Sequence, residues 1–425
     1  MRLTHARTLG HDQLVDLRIA DGRIVEISPA TGAAAPGDLD VAGRLVLPGL
    51  VETHLHLDKA HLDDLAPNPD GTLAGAIAVT GRLKADFAAE GIAARARRVL
   101  EAAIANGTTL VRAHPDVDPI VGTLGVEVLA DLRAEYAGRI DLQIVAFPQE
   151  GVIQAPGTLR LLERAVRHGA DVIGGCTYNE ADRADSERQV GLLLDLAERH
   201  GLPLDLHADF GDDPGDPRFA MAGAIAAAVR ERGLEGRVSL GHMTALGSLE
   251  RDALDRTLGE LAAADVAVVL LPHTDLHLGG RADTSRVRRG LAPLHALWAA
   301  GVRASYSSNN VRNAFTPFGN ADLLETGLFL AQVAHLGSPD DLARVVDMAT
   351  TEAARIAGID ASYGLRPGAA ADLVVLDATD PVAALLDRAP RRWVLKRGRV
   401  VAETTRSTAL HDPSTGTTLH ERTSA

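Results

Sequence analysis

The stretch Val46-Leu-Pro-Gly-Leu-Val-Glu-Thr-His-Leu-His-Leu-Asp-Lys59 begins as an apolar run and carries two histidines one residue apart near its end. Alternate residues of a β-strand face the same side, so His54 and His56 direct two imidazoles to one point. Two imidazoles at a strand end form half of a metal site. The alternative interpretation is a pair of unrelated histidines near a loop. Features elsewhere in the chain distinguish the two interpretations.

Seven further apolar segments follow, each preceded by a helical pattern. The segments lie at 108–114, 141–147, 171–175, 202–207, 238–242, 266–271 and 302–308, and the helical patterns at 92–106, 123–137, 157–168, 185–200, 218–232, 248–264 and 287–300. With the strand at 46–56 they make eight β/α units in series, which predicts an α/β fold, a (β/α)8 TIM barrel. The alternative is an open doubly wound sheet, but the glycine fingerprint of a dinucleotide site is not found.

Both ends of the chain are rich in strand patterns and differ from the middle. Residues 14–27 alternate around a turn signal at Asp21-Gly22, and similar segments lie at 371–377 and 392–401. We expect the two ends to pair as one small composite β-sandwich domain. The expected bounds are 1–45 for its N-terminal part, 46–357 for the barrel with a closing helix at 339–357, 358–405 for its C-terminal part, and 406–425 for a flexible tail.

Composition narrows the class of protein. Of 425 residues 46% are hydrophobic, enough for a large core, and the net charge of −14 argues against nucleic acid or an anionic membrane surface as partner. We expect no transmembrane helix, because no run of 18 apolar residues occurs, and a cytoplasmic location, because the first residues lack a signal-peptide core. The single cysteine, Cys176, excludes an internal disulfide. Nothing in the sequence reveals an oligomer, although a homo-oligomer is compatible with it.

Polar side chains recur at the predicted strand ends, where a barrel of this kind carries its chemistry. They are His54, His56, His114, Gln149, His207, His242, His273 and the pair Asn309-Asn310. Only 16 histidines occur in the chain, so this clustering favours function. We interpret His54, His56, His207 and His242 as a functional set that suits a metal with an open position for water. For His114 and His273, a hydrogen-bonded core histidine is an equally good interpretation.

Six ordered stretches resemble the amidohydrolase superfamily, and within it the cytosine deaminase-like branch. They are Leu47–Lys59, Arg112–Asp118, Gln143–Gly151, Asp205–Asp209, Gly241–Thr244 and Ser307–Gly319. The resemblance implies that His54, His56 and His207 bind one divalent metal ion, which would be zinc, iron or manganese. It also implies that His242 polarises or deprotonates a water on that metal, and that Gln149 contacts the edge of a substrate ring.

Further substrate contacts are expected near the same strand ends. We predict that His114, Asn310 and Phe315 join Gln149 in binding a small heterocyclic or amide substrate. Phe315 would pack against a flat ring, although a loop anchor is an equally good interpretation. Lys59 lies beyond the first strand, which does not suit a carbamylated lysine bridging two metals, so we expect a mononuclear site.

Two positions depart from the family pattern, and both matter chemically. The strand-eight aspartate that usually ligates the metal and accepts a proton is Asn309, whose neutral amide is a weaker ligand and no base. The glutamate expected three residues after His207 is Phe210, which cannot transfer a proton. Acids that could compensate are Asp209, Asp212, Asp213 and Asp275. A loop acid or helix cap is the preferred interpretation of each, except Asp209, whose spacing from His207 points it inward.

Three functional hypotheses follow. The first is a metal-dependent hydrolase of a non-peptide C–N bond in a small cyclic amide, imide or amidine, with His242 as base and Asn309 beside the metal. The second is a deaminase of cytosine or another aminoheterocycle with relocated acid groups. The third is a barrel that binds a heterocycle or a metal without turnover. It is the weakest of the three, because the chain retains five convergent polar groups, namely His54, His56, His207, His242 and Gln149.

Overall fold

The computed structural model describes residues 1–211, 215–281, 283–285, 287–414 and 418–423. The chain begins with one four-stranded sheet in the order β3-β2-β1-β4. Its strands are β1 (Arg2–Ala6), β2 (Val15–Ala20), β3 (Arg23–Pro29) and β4 (Leu39–Asp40). The predicted turn joins β2 to β3, and Asp21 and Gly22 both have positive φ angles, 51° and 74°. These angles match the tight turns that suit the twist of a hairpin.

The strand predicted over 46–56 is in fact two strands in two different sheets. β5 (Leu45–Pro48) pairs antiparallel with a C-terminal strand at 373–376, whereas β6 (Leu50–Leu55) pairs parallel with the next barrel strand. Gly49 separates them, and a Cβ atom there would lie 2.2 Å from Cγ2 of Thr109. Only glycine lets the backbone pass this close, so the barrel begins at Leu50 rather than at residue 46.

Eight parallel strands form the barrel, as the sequence predicts. They are β6, β7 (Thr108–Ala113), β8 (Asp141–Ala146), β9 (Val172–Cys176), β10 (Leu204–Ala208), β11 (Val238–His242), β12 (Ala267–Leu270) and β13 (Ala304–Tyr306), each hydrogen-bonded to the next. The first and last strands meet through the backbone of Asn309. Its N–H donates to the carbonyl of His54 at 2.9 Å, and its carbonyl accepts from the N–H of His56 at 2.8 Å. The (β/α)8 fold is therefore confirmed.

Helices alternate with these strands and surround them. They are α1 (Leu73–Lys84), α2 (Ala89–Ala105), α3 (Leu124–Glu135), α4 (Thr158–Arg167), α5 (Arg183–His200), α6 (Ala222–Glu231), α7 (Arg251–Ala263), α8 (Pro272–Leu278), α9 (Leu294–Ala299), α10 (Leu323–Val333), α11 (Pro339–Met348), α12 (Thr351–Ile356) and α13 (Pro381–Leu386). The closing helix predicted at 339–357 is thus a pair, α11 and α12. Within the described residues there are also five short 3-10 turns, at 62–64, 177–179, 217–219, 244–248 and 360–362.

The two chain ends form a composite β-sandwich. β14 (Leu373–Leu376), β15 (Arg391–Lys396), β16 (Arg399–Glu403) and β5 make the second sheet, in the order β16-β15-β14-β5. Leu17 of the first sheet and Val46 and Leu373 of the second belong to one buried apolar cluster. The sheets therefore pack face to face around a core of their own, separate from the core between the barrel strands and helices.

The segment predicted as a flexible tail contains a two-stranded antiparallel sheet. β17 (Ser407–His411) pairs antiparallel with β18 (Thr418–Thr423), and residues 407–411 are exposed. The β-branched threonines that suggest a polar tail also suit an exposed strand. Among the helices in the described part of the chain, none is both long enough and apolar enough to cross a membrane.

Candidate metal centre and active site

Three imidazoles converge at the C-terminal ends of β6 and β10. Nε2 of His207 lies 3.1 Å from Nε2 of His54 and 3.2 Å from Nε2 of His56. Ligands at about 2.1 Å from a tetrahedral zinc ion would lie about 3.4 Å apart, so these spacings suit one metal ion. The three side chains form one of the groups that can hold a metal in the described residues, and all three are buried.

Burial keeps these imidazoles in the form that binds metals. It lowers the pKa of His54 to about 3, helped by the neighbouring His114. Burial also lowers the pKa of His56 and of His207 well below the ordinary value, and the positive charge of Lys59 adds to the effect on His56. All three rings are neutral at pH 7, with lone pairs available for a divalent ion.

The ring of His54 fits into a space that the barrel leaves open for it. A Cβ atom on Gly241 of β11 would lie 3.1 Å from Cε1 of His54, so glycine leaves room for the imidazole. On the other side, the ring of His114 stacks on His54 with centroids 3.8 Å apart. The two neighbours hold the plane of the His54 ring.

His114 does not reach the cavity, so the prediction that it binds substrate is corrected. It is absent from the lining of the cavity described below, and its side chain is fully buried, with Nε2 3.1 Å from Oδ1 of Asp205. Its backbone carbonyl lies 2.8 Å from Nδ1 of His56. Because a carbonyl only accepts, Nδ1 of His56 carries the proton, and Nε2 is left to face the other two imidazoles.

Asn309 lies where the barrel closes, beside the three histidines. Its φ angle is 59°, a left-handed conformation that asparagine tolerates better than most residues. Its side-chain Oδ1 is buried and has no hydrogen-bond partner among the described residues. A buried carbonyl oxygen without a partner is an acceptor that a ligand can satisfy. The position therefore matches the one predicted, while ligation of a metal by Asn309 stays a prediction.

His242 at the end of β11 pairs with a buried carboxylate. Its Nδ1 lies 2.6 Å from Oδ1 of Asp275 in α8, and the other oxygen of Asp275 accepts from the N–H of Leu271 at 3.1 Å. Burial raises the pKa of Asp275, although the pairing with His242 opposes the shift. The pair fixes the proton of His242 on Nδ1 and leaves Nε2 free to accept a proton.

A small cavity at the strand ends collects the other candidates. Its lining consists of His56, Lys59, Gln149, Tyr178, His207, Phe210, His242, Thr274, Asn309, Asn310 and Phe315. Gln149, Asn310 and Phe315 thus lie where the sequence places substrate contacts. Helix α1 packs against one wall of this cavity, since Ala76 and Val79 share a buried apolar cluster with Phe315.

An aromatic ring occupies the position at which the family pattern has a glutamate. Phe210 is buried, and its ring stacks on His242 with centroids 4.1 Å apart. Asp209 does not replace the acid, because its carboxylate accepts from the N–H groups of Met221 and Ala222 at 2.7 and 3.0 Å. Its φ angle of 48° turns the chain away from the strand direction. Asp212 and Asp213 lie outside the described residues.

Two further residues, His273 and Cys176, do not line this cavity. His273 points outward and stacks on Phe329 with ring centroids 5.1 Å apart, so it takes no part in the cavity. Cys176 is a packed core residue, and burial raises the pKa of its thiol to about 12. Neither residue therefore adds to the chemistry of the histidine cluster.

Two residues at the site receive no functional role from the sequence, and a third, Asp275, is named there only as one of four acids that could compensate. A loop acid or helix cap is the expectation for Asp275, and the sequence gives Asp205 and Lys59 no part in the chemistry. Lys59 lines the cavity and forms a buried ion pair with Asp116. A usable signal existed for Asp205, which lies two residues before His207 and so faces the same side of β10. No local signal marks Asp275, because its partner His242 belongs to a different strand.

Comparison with known proteins places the chain in a family. A family model described as "Amidohydrolase family" matches residues 39–402. The pterin deaminase of Rhizobium rhizogenes is 33% identical over 393 residues, which cover 91% of this chain and 87% of that protein. The N-isopropylammelide isopropyl amidohydrolase of Pseudomonas sp. strain ADP is 28% identical over 401 residues, which cover 92% of this chain and 94% of that protein.

Structural comparison agrees with this result. The crystal structure of 5-methylcytosine deaminase from Klebsiella pneumoniae liganded with 5-fluorocytosine superposes with a TM-score of 0.93 at 31% sequence identity. The match covers 97% of this chain and 100% of the deaminase. The barrel, the composite β-sandwich and the histidine cluster thus occur in a chain that belongs to the amidohydrolase family, in its cytosine deaminase-like branch.

Proposed function

We propose that this protein is a metal-dependent hydrolase that releases an amino substituent from a small, flat nitrogen heterocycle. The observation that carries the proposal is the convergence of three neutral, buried imidazoles, two of which, His56 and His207, line one cavity together with His242. The similarity to a pterin deaminase and to a 5-methylcytosine deaminase supports release of an amine from a ring carbon.

His54, His56 and His207 would hold one divalent ion, and zinc, iron and manganese are the candidates because imidazole suits all three. Such an ion lowers the pKa of a bound water to about 7 and so supplies hydroxide at neutral pH. Asn309 lines the same cavity, and its buried amide oxygen, which has no partner among the described residues, would be available to the ion or to the attacking water. A neutral fourth group leaves more positive charge on the site than a carboxylate would.

His242 moves the proton in this proposal. Its Nε2 takes the proton of the attacking oxygen and passes it to the leaving nitrogen, so that water adds to the ring carbon and ammonia or an amine departs. Asp275 holds the ring through Nδ1 at 2.6 Å and stabilises the positive charge that His242 carries between the two transfers. Because one imidazole carries out both proton transfers, the reaction does not need a carboxylate at position 309.

The remaining cavity residues bind and orient the ring. Nε2 of Gln149 lies 3.9 Å from Sγ of Cys176, and Nδ2 of Asn310 donates to Oγ1 of Thr274 at 3.2 Å. Both amides are held by protein partners and can present acceptor or donor groups to a ring edge. Phe315 offers an apolar face to a flat ring, and Ala76 and Val79 of α1 belong to the same buried apolar cluster.

Hydrolysis of a cyclic amide or imide is the second candidate function. It is favoured by Phe210, because this ring stands where an acid would protonate an aromatic ring nitrogen. A cyclic amide already carries a carbonyl and needs that protonation less. The cytoplasmic location and a homo-oligomer stay predictions, whichever of the two activities the protein has.

The test combines metal analysis with a substrate panel. Purified protein should contain about one divalent metal per chain, and stripped protein should regain activity when zinc, iron or manganese is returned. Aminopyrimidines, aminotriazines and pterins are then assayed for ammonia, and cyclic amides and imides for ring opening. Ammonia release that is lost in His242→Asn with the metal retained would support the proposal. Ring opening alone would favour the second candidate, and metal-loaded protein that binds ligands without any turnover would refute both.

A further inference from the structure

A layer of buried polar side chains lies one step deeper in the barrel than the three imidazoles. Asp205 precedes His207 by two residues on β10, and Arg112 precedes His114 by two residues on β7, so both face the barrel interior. One carboxylate oxygen of Asp205, Oδ2, accepts from Nη1 of Arg112 at 3.0 Å and from Oγ of Ser239 at 2.8 Å.

The other carboxylate oxygen faces the imidazoles. Oδ1 of Asp205 lies 3.6 Å from Nδ1 of His54 and 3.1 Å from Nε2 of His114. It has no hydrogen bond of good geometry among the described residues, and neither has Nδ1 of His54. A buried carboxylate oxygen and a buried imidazole nitrogen therefore face each other across a gap that a small ring movement would close.

Two interpretations of this layer are possible. His54, His114 and Asp205 also form a group whose ligand atoms lie within 4.8 Å of one another, as a second metal site would require. A second ion there would make His54 ligate through both nitrogens, and would place a dication beside the permanently charged, buried guanidinium of Arg112. Arg112 already neutralises the carboxylate of Asp205, so no second cation is needed there.

We propose that Asp205, held by Arg112 and Ser239, is a positioning residue that keeps the proton of His54 on Nδ1 and thereby directs the Nε2 lone pair to a single metal ion. Carboxylates behind metal-bound histidines fix the ring in this way and raise its strength as a ligand. His114 completes the arrangement, since its ring stacks on His54 and its carbonyl holds Nδ1 of His56. The inference rests on the proposed metal site.

The test measures metal affinity, apart from activity. Metal-free wild-type protein and Asp205→Asn are titrated with Zn²⁺ in competition with a chromophoric chelator, and the thermal unfolding of both metal-free proteins is recorded. We expect one Zn²⁺ per wild-type chain and a weakening of about 10- to 100-fold in Asp205→Asn. The asparagine can present an N–H₂ group to His54, which would move the imidazole proton to Nε2.

Asp209→Asn is the matched control, because Asp209 lies at the end of the same strand and is equally buried, but contacts the start of α6 rather than His54. We expect its Zn²⁺ affinity to stay within about twofold of wild type. If Asp205→Asn does not fold, Ser239→Ala decides the question. It removes one hydrogen bond to Oδ2 and keeps the charge, so a loss of about fivefold is expected.

The outcomes separate this inference from the proposed function. One Zn²⁺ per wild-type chain with an unchanged affinity in Asp205→Asn, or in Ser239→Ala where that variant decides, would overturn the inference and leave the proposed function intact. An equal loss in Asp205→Asn and Asp209→Asn, or binding of two Zn²⁺ per wild-type chain, would also overturn it. A wild-type protein that binds no divalent metal would overturn both.

Discussion

Replacement of Asp275 by asparagine tests the proposed base most directly. The amide side chain has the size of the carboxylate and can still accept from the N–H of Leu271 through its oxygen. It then presents an N–H₂ group to Nδ1 of His242 in place of a carboxylate oxygen at 2.6 Å. A donor facing Nδ1 moves the proton of the neutral imidazole to Nε2, where the base is required, and the site loses its acceptor.

The expected magnitude follows from the role of that acceptor. General base catalysis by a positioned side chain contributes about 10²- to 10⁴-fold, so Asp275→Asn should lower kcat by that factor. The corresponding loss of transition-state stabilisation is about 3 to 5 kcal/mol. KM should change little, because Asp275 lies behind His242 and does not line the cavity.

The assay is steady-state ammonia release from the best substrate of the panel, measured from pH 5 to 9, with metal content determined on the same samples. Asp209→Asn serves as a control for the removal of a buried carboxylate near the site, because its contacts are with the start of α6. A kcat within about tenfold of wild type for Asp275→Asn, at equal metal content, would refute the role of the pair as base.

Three further predictions concern metal binding, pH and packing. Asn309→Asp should tighten divalent metal binding, measured by chelator competition, and should destabilise the metal-free protein, because the new charge is buried beside three neutral imidazoles; equal affinity would place residue 309 outside the metal's ligand set. Burial raises the pKa of Asp209 to about 6, so its carboxyl group ionises less readily in the folded protein than in the unfolded chain. Relative to Asp209→Asn, the wild-type protein should therefore lose about 3 kcal/mol of unfolding free energy as the pH rises from about 4 to above 6. Urea titrations measure this, and parallel pH profiles of the two proteins would contradict it. Gly49→Ala would bring a Cβ to 2.2 Å from Thr109 and should lower the unfolding free energy by about 1 to 3 kcal/mol, with a normal melting temperature as the contrary result.

The barrel was readable from the sequence because its information is local. Apolar runs such as 141–147 and the helical pattern before each of them need only a few neighbouring residues to be recognised. The split at Gly49 was not readable, because the strand that pairs with β5 lies more than 300 residues further along the chain. Whether a run of apolar residues is one strand or two depends on which sheet accepts each half.

The site was predictable where a side chain sits inside a strand and was not where the chain turns. His54, His56 and His207 lie within or directly after strands, where the alternation of side chains holds. Asp209 follows the end of β10 at a left-handed turn, so the alternation that pointed it inward no longer applies. The role of Asp275 depends on the distance between the ends of β11 and β12, which are neighbours only in the folded barrel.

The buried acids of this site pair with imidazoles and do not line the cavity themselves. This arrangement separates metal ligation from proton transfer, two functions that one aspartate usually combines. Asp275 supports His242 as a proton acceptor, whereas residue 309 lies beside the proposed metal ligands and offers only a neutral amide. A change at position 309 should therefore alter metal affinity more than the pH dependence of turnover, since the base and its carboxylate remain in place. Conversely, Asp275→Asn should alter turnover and leave metal affinity near the wild-type value, and the two variants together distinguish loss of the metal from loss of the base.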